Sequence, residues 1–205
     1  MKQFNGFDEA KQKAAYSAGE RLPVGGYVCE ILGVKLVPGQ NGKSDSLTVQ
    51  FDITEGEYKE FFKKQYEANT SDNRKYKGTK TIWLPTDDGS EKDGWTKTAF
   101  ARWTNALEDS NSGYKWDWDE TKWKGKKIGL IFGETGSLIE GKEVVYTECR
   151  KPTSVQSIRD NTFKAEKFVA KNGYGGTGAT NTAAASSGTE FMSIPDGLEE
   201  ELPFK

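Results

Sequence analysis

The sequence predicts a mainly β fold with added helices, and three observations predict it. Residues 46–54 (SLTVQFDIT) alternate apolar and polar without a break, as a strand with one buried and one wet face does. Four further segments rich in β-branched and aliphatic residues read as strands. Turn residues separate most of them, and a helical pattern falls between the third and fourth.

In order, residues 26–37 (GYVCEILGVKLV) form the first strand, with Gly33 marking a bulge or sharp bend. The turn 38–44 contains Asn41-Gly42, a strong hairpin signal. The second strand is 46–54. Residues 57–68 (EYKEFFKKQYEA) read as a helix with Tyr58, Phe61, Phe62 and Tyr66 on one face. A polar, basic stretch leads to a third strand at 79–84, ended by Pro85, with Ile82 and Leu84 inward and Thr81 and Trp83 outward. A helix follows at 95–108, with Asp93 as its cap and Trp95, Ala99, Phe100, Trp103, Ala106 and Leu107 as its apolar stripe. Strands at 126–132 and 143–150 are joined by 133–141, and 153–168 is a closing segment. From 171 the chain turns to Gly, Ala, Ser and Thr, a flexible linker to 189, and 190–205 is an acidic tip. Residues 1–20 form an N-terminal arm.

This order is that of a five-stranded OB-fold barrel with a helix between strands 3 and 4, spanning 21–170 and carrying a flexible C-terminal tail. Such barrels bind along the face of strands 2 and 3, between the 1–2 and 4–5 loops. That face offers Thr48, Gln50, Thr81 and Trp83; the loops add Lys43 and Lys142. The 2–3 connection and the start of strand 3 add Lys63, Lys64, Arg74, Lys75, Tyr76, Lys77 and Lys80. Cations that track phosphates and rings that stack on bases are what single-stranded nucleic acid requires. Trp123, Lys124 and Lys126 interleave the same residue types. Trp116 and Trp118 flank Asp117, whose charge repels phosphate, and read as structural.

Composition narrows the function classes. The chain lacks histidine, the commonest general base and metal ligand. Cys29 and Cys149 alone cannot build a four-ligand zinc site and are expected as free thiols. No cofactor is expected. No signal-like or membrane-spanning segment is seen, so the expected compartment is the cytoplasm. Net charge is −2, but residues 171–205 carry five acids against two bases, which leaves +1 for the rest.

The tip IPDGLEEELPF resembles the acidic tips of bacterial and phage single-stranded DNA-binding proteins. The segments LPVGGYVCEILGVK, EYKEFFKKQYEA and SGYKWDWDETKWKGKKIG resemble the single-stranded DNA-binding proteins of phages of Gram-positive bacteria. The resemblance implies sequence-tolerant binding and protection of single-stranded DNA in phage replication and recombination. It also implies recruitment of partner replication and recombination proteins through Glu199, Glu200, Glu201, Leu202, Pro203 and Phe204. It is compatible with a homo-oligomer. One departure is Lys205, which follows the Phe on which the family tip ends. Two other readings stand beside it: an OB-like adaptor between proteins, and a Mg-dependent nuclease using Asp117, Asp119 and Glu120.

Because the tip's acids compete with DNA for cations, removal of 190–205 is expected to leave oligo-dT affinity unchanged or slightly higher. Fluorescence anisotropy of a labelled oligonucleotide measures this, and a clear weakening contradicts it.

Overall fold

In the computed structural model, residues 21–40 and 43–175 are described. The chain divides into two units after Tyr174, and all described residues except Gly175 belong to the first. The arm 1–20, the pair Asn41-Gly42, nearly all of the linker and the tip therefore lie outside the described residues.

The fold is a six-stranded mixed sheet with a few helices. Five strands follow the order β3-β2-β1-β4-β5 and pair antiparallel: β1 Gly25–Val37, β2 Ser46–Ile53, β3 Thr79–Trp83, β4 Lys127–Ile139 and β5 Lys142–Thr153. The sixth, β6 Val169–Lys171, pairs parallel with β4 where β1 has left it. Among the described residues β3 and β5 share no ladder, so the expected closed barrel is corrected to an open, strongly curled sheet. The curl brings non-adjacent strands together. Phe51 of β2 meets Phe132 of β4 at 6.1 Å between ring centroids, across the concave side. Gly33 sits at a register shift in β1, the bulge its sequence position predicts.

The concave face holds the core. Ile31, Val49, Phe51, Ile53, Ile128, Leu130 and Phe132 are all at most 2% exposed. Helix α1, Phe61–Ala68, inserts Phe62, which stacks on Phe132. Helix α2, Glu91–Ser110, packs against β3, β4 and β5 through Trp103, Ala106 and Leu107. Both free cysteines, Cys29 and Cys149, are buried here, and burial pushes the Cys149 thiol up to about 12.

Three elements differ from expectation. Helix α2 starts at Glu91 rather than 95, because Ser90 is the cap and its Oγ accepts from Asp93 N at 3.2 Å. The polar first turn hides this start from any apolar pattern. Asp93 instead accepts from Asp87 N at 2.8 Å and pairs with Lys97 at 2.8 Å. Strand β4 runs to Ile139, past the expected 132, because Thr135 and Ser137 are buried polar residues that apolar periodicity does not register. The hairpin shrinks to Glu140-Gly141, both with positive φ, as a two-residue type I′ turn requires. The closing segment contains α3, Val155–Arg159, capped by Ser154. Arg159 grips Glu55 at 2.6 and 3.1 Å, and Lys127 adds a third contact at 3.1 Å. The body continues to Tyr174, whose ring packs on Phe168, past the expected boundary at 170.

The N-terminus of α1 has no cap of its own. Glu60 occupies the cap position at φ 59° and makes no side-chain cap bond. Asp52, on the convex face of β2, replaces it. Its carboxylate accepts from Phe62 N (3.1 Å), Lys63 N (2.9 Å), Ile53 N (2.8 Å) and the Tyr76 hydroxyl (2.9 Å). Hydrogen bonds to a charged group contribute about 1.5–3 kcal/mol each, and stranded donors cost comparably. Asp52→Ala is therefore expected to lower stability by about 2–4 kcal/mol, read as a reduced urea midpoint, with loss of helical signal from α1. A change below about 0.5 kcal/mol, the size usual for surface substitutions, refutes this role for Asp52.

Candidate nucleic-acid interface

Strand registers assemble one open face. Directly opposed residues in antiparallel strands lie on the same side of the sheet. Lys35, Thr48 and Thr81 thus form a row across β1, β2 and β3 on the convex side. Gly33, Gln50 and Thr79 form the adjacent row on one side of it, and Val37, Ser46 and Trp83 the adjacent row on the other. Thr79, Thr81 and Lys35 are exposed; Thr48, Gln50 and Trp83 are half-buried. Gly33 has nothing within 4 Å of where a Cβ would stand, so its row is shallow at the β1 edge. At the far end stands Asp52, buried under its hydrogen bonds from Phe62 N and Lys63 N at the start of α1. The result is a strip of short neutral side chains, bordered by Lys35 and by the half-exposed ring of Trp83. Lys43, exposed in the 1–2 loop, stands three residues before Ser46.

The structure therefore brings Thr48, Gln50, Thr81 and Trp83 together, as expected, and adds Lys35. Sequence reasoning missed Lys35, although it continues the polar side of β1; its register with Thr48 requires the bulge at Gly33.

Other expected residues are placed differently. Lys63, Lys64, Arg74, Lys75 and Lys77 are exposed along α1 and the loop after it, beyond the Asp52 end of the strip. Several are locally engaged: Lys63 with Glu60 at 3.2 Å, Lys64 with Lys59 O at 2.8 Å, and Arg74 over the Tyr66 ring at 4.6 Å. Tyr76, expected among the DNA contacts, has a structural task in the fold. It is half-buried against Phe62 and Tyr66, and its hydroxyl is committed to Asp52 and Phe51 O. Burial and the Asp52 charge push that phenol well above its usual range.

Trp123 is also corrected. It is 0% exposed, stacked between Phe100 and Trp103, with Trp116 edge-on at 5.4 Å. A sealed indole has no face for a base. Lys124 is exposed, and Lys126 lies over the Tyr114 ring at 4.9 Å; both lie on the side of β1 away from β2, where Ile31 N donates to Lys126 O at 2.9 Å. Lys142 is exposed at the β4–β5 turn. Of the two indoles expected to be structural, Trp116 packs on Phe100 and Trp123, whereas Trp118 is 82% exposed. Asp117 and Asp119 converge on Lys122, and Asp119 also caps the short 3-10 helix Glu120–Trp123. Among the described residues no three His, Cys, Asp or Glu side chains gather to hold a metal.

Lys80 belongs to a second polar cluster. Strand parity puts it on the concave side with Val49 and Ile82, and its charge acts on Glu148 and Cys149 of β5. Glu148 accepts from the Thr135 hydroxyl and pairs with Arg150 at 2.8 Å and Lys171 at 3.3 Å. Burial alone raises this carboxyl. The Thr135 hydrogen bond and the Arg150, Lys171 and Lys80 charges outweigh it and hold Glu148 below its usual 4.5.

No family model matches the chain, and no curated protein matches it. No helix among the described residues is long and apolar enough to cross a membrane.

A carboxyl lowered in the folded state stabilises fully above its unfolded value, and that stabilisation disappears as pH falls through the folded value. Wild-type protein is therefore expected to lose stability from about pH 5 downward. Glu148→Gln is expected to be less stable at neutral pH and to show a shallower decline over that window. Urea midpoints at three pH values measure this; parallel pH profiles for the two proteins contradict it.

Proposed function

We propose that this chain binds single-stranded DNA along the convex strip of β2 and β3, and recruits replication and recombination proteins through its acidic tip. The observation that carries the reading is the register-built row Lys35–Thr48–Thr81, with half-buried Trp83 in the adjacent row. Short neutral side chains leave room for bases to lie on the sheet and supply hydrogen-bonding atoms at their edges. The indole of Trp83 offers a π-face that accepts any base. Lys35 and Lys43 offer positive charge to phosphates. An OB-type body is part of the proposal: the strand order β3-β2-β1-β4-β5 follows the path of that barrel opened between its third and fifth strands. The convex strip then corresponds to the face such barrels use. The resemblance of the body and tip to phage single-stranded DNA-binding proteins supports the same assignment. Glu199 to Phe204 lie outside the described residues, so recruitment rests on sequence alone.

An oligo-dT titration followed by anisotropy tests the proposal. Wild-type protein is expected to bind single strands in preference to duplex, with affinity falling steeply as salt rises because phosphate contacts release counterions. Trp83→Ala is expected to cost about 1–3 kcal/mol of binding while the circular dichroism spectrum is unchanged. An unaltered affinity removes Trp83 from the interface. Absence of binding by the wild type at low salt overturns the function and favours the protein-adaptor reading.

A further inference from the structure

Trp118 is the most exposed large hydrophobic residue among those described. It is 82% exposed, against at most 49% for the others. It is also held at φ +67°, a region that is a genuine outlier for a bulky side chain. The other described non-glycine residues with positive φ are Glu60, Asp87, Glu140, Asn161 and Asn172, all polar. A tryptophan here combines two unfavourable features, a left-handed backbone and a hydrated indole. Glycine or asparagine at the same turn removes both. A strained conformation that the surroundings over-determine is a pointer to function.

The surroundings do over-determine it. Lys122 takes both Asp117 and Asp119, the residues on either side of Trp118. Asp119 Oδ1 accepts from Thr121 N at 3.1 Å, starting the 3-10 helix. That helix ends on buried Trp123, on which Trp116 packs. The Trp118 ring meets the Trp116 ring of this framework at 6.0 Å between centroids and 54° between planes. The turn is therefore pinned on both flanks while the indole stands out in solvent, an arrangement that lowers the ordering cost of a contact made by the ring.

The chemistry of the neighbours selects the occupant. The ring is isolated among Lys115, Asp117, Asp119 and Lys122, with no contiguous apolar residue exposed in the same loop. A stable protein interface buries about 800 Å² per partner, far more than one ring offers. An unpaired base needs only one flat face. Lys122 pairs with both aspartates that flank the ring and cancels one of their two charges, and Lys115 is paired with Glu108 at 2.7 Å, so the repulsion expected from Asp117 is reduced, not removed. Lys124 is exposed farther along the same loop.

We propose that Trp118 is a second stacking platform for an unpaired base, separate from the β2–β3 strip and presented by the pinned turn 116–123. The proposal rests on the single-stranded DNA reading. It places part of the bound strand on the α2–β4 loop.

The test uses the full chain, oligo-dT, and the variants Trp118→Gly, Trp118→Asn and Trp118→Phe. Gly and Asn both suit the left-handed turn, so either serves if the other folds poorly. Both are expected to melt at or above the wild-type temperature. Their oligo-dT affinity is expected to fall by about five-fold or more, the low end of what one stacked base contributes. Trp118→Phe is expected to recover most of that loss. The ratio of wild-type to variant affinity is expected to be the same at low and high salt, since a ring contact releases no counterion. Equal affinity of wild type, Trp118→Gly and Trp118→Asn overturns the inference while leaving the β2–β3 reading intact. Unchanged affinity with loss of self-association in sedimentation assigns the ring to a contact between copies and overturns base stacking. Failure of the wild type to bind oligo-dT removes the underlying reading and this one with it.

Discussion

The buried carboxylate of Asp52 is the joint on which the arrangement depends. It sits on the convex side of β2, the side that otherwise faces solvent, and is only 6% exposed. A charge in that position persists only when it is hydrogen-bonded, and three backbone amides and a phenol satisfy it. The same bonds cap α1 and tie down the loop that carries Tyr76. They also decide how much of the convex face is left open. The open part of the convex side of β2 ends at buried Asp52, whose carboxylate meets the first amides of α1.

β2 is thus a two-sided element with two separate tasks. Its concave residues, Leu47, Val49, Phe51 and Ile53, fill the core with Phe62 and Phe132. Its convex residues run from open Thr48 and Gln50 to covered Asp52. A one-residue slip in register exchanges the faces, so the apolar demand of the core is also what holds the strip outward. At the far ends of the sheet, Glu148 with Arg150, Lys171 and the nearby charge of Lys80 performs a comparable service. No ladder pairs β3 with β5 among the described residues.

The aromatic inventory divides in a way that burial explains. Phe100, Trp103, Trp116 and Trp123 form one packed group beneath α2, where each ring fully removed from water takes about 150–250 Å² with it. Tyr58, Phe61, Phe62, Tyr66 and Tyr76 form another, fastening α1 and its loop. Trp118 is exposed and Trp83 half-buried, outside both groups, and both adjoin turns or strand ends rather than helix stripes. Aromatic content thus separates by position into rings that build the body and rings that a flat ligand can reach.

The sequence by itself determined the β class, the succession of five strands and the main helices along the chain, the bulge at Gly33 and the outward parity of Thr48, Gln50, Thr81 and Trp83. All of these follow from local periodicity and turn chemistry, which act over a few neighbouring residues. It did not determine the start of α2, the length of β4, the burial of Trp123, the exposure of Trp118 or the opening between β3 and β5. Each of those depends on contacts far apart in the chain. Trp123 is sealed by a helix some twenty residues earlier, Thr135 is buried because Glu148 and Arg150 answer its hydroxyl, and Lys35 joins Thr81 only through the register of three strands. Periodicity tells which side of an element a residue occupies. Only tertiary packing decides whether that side meets protein or water.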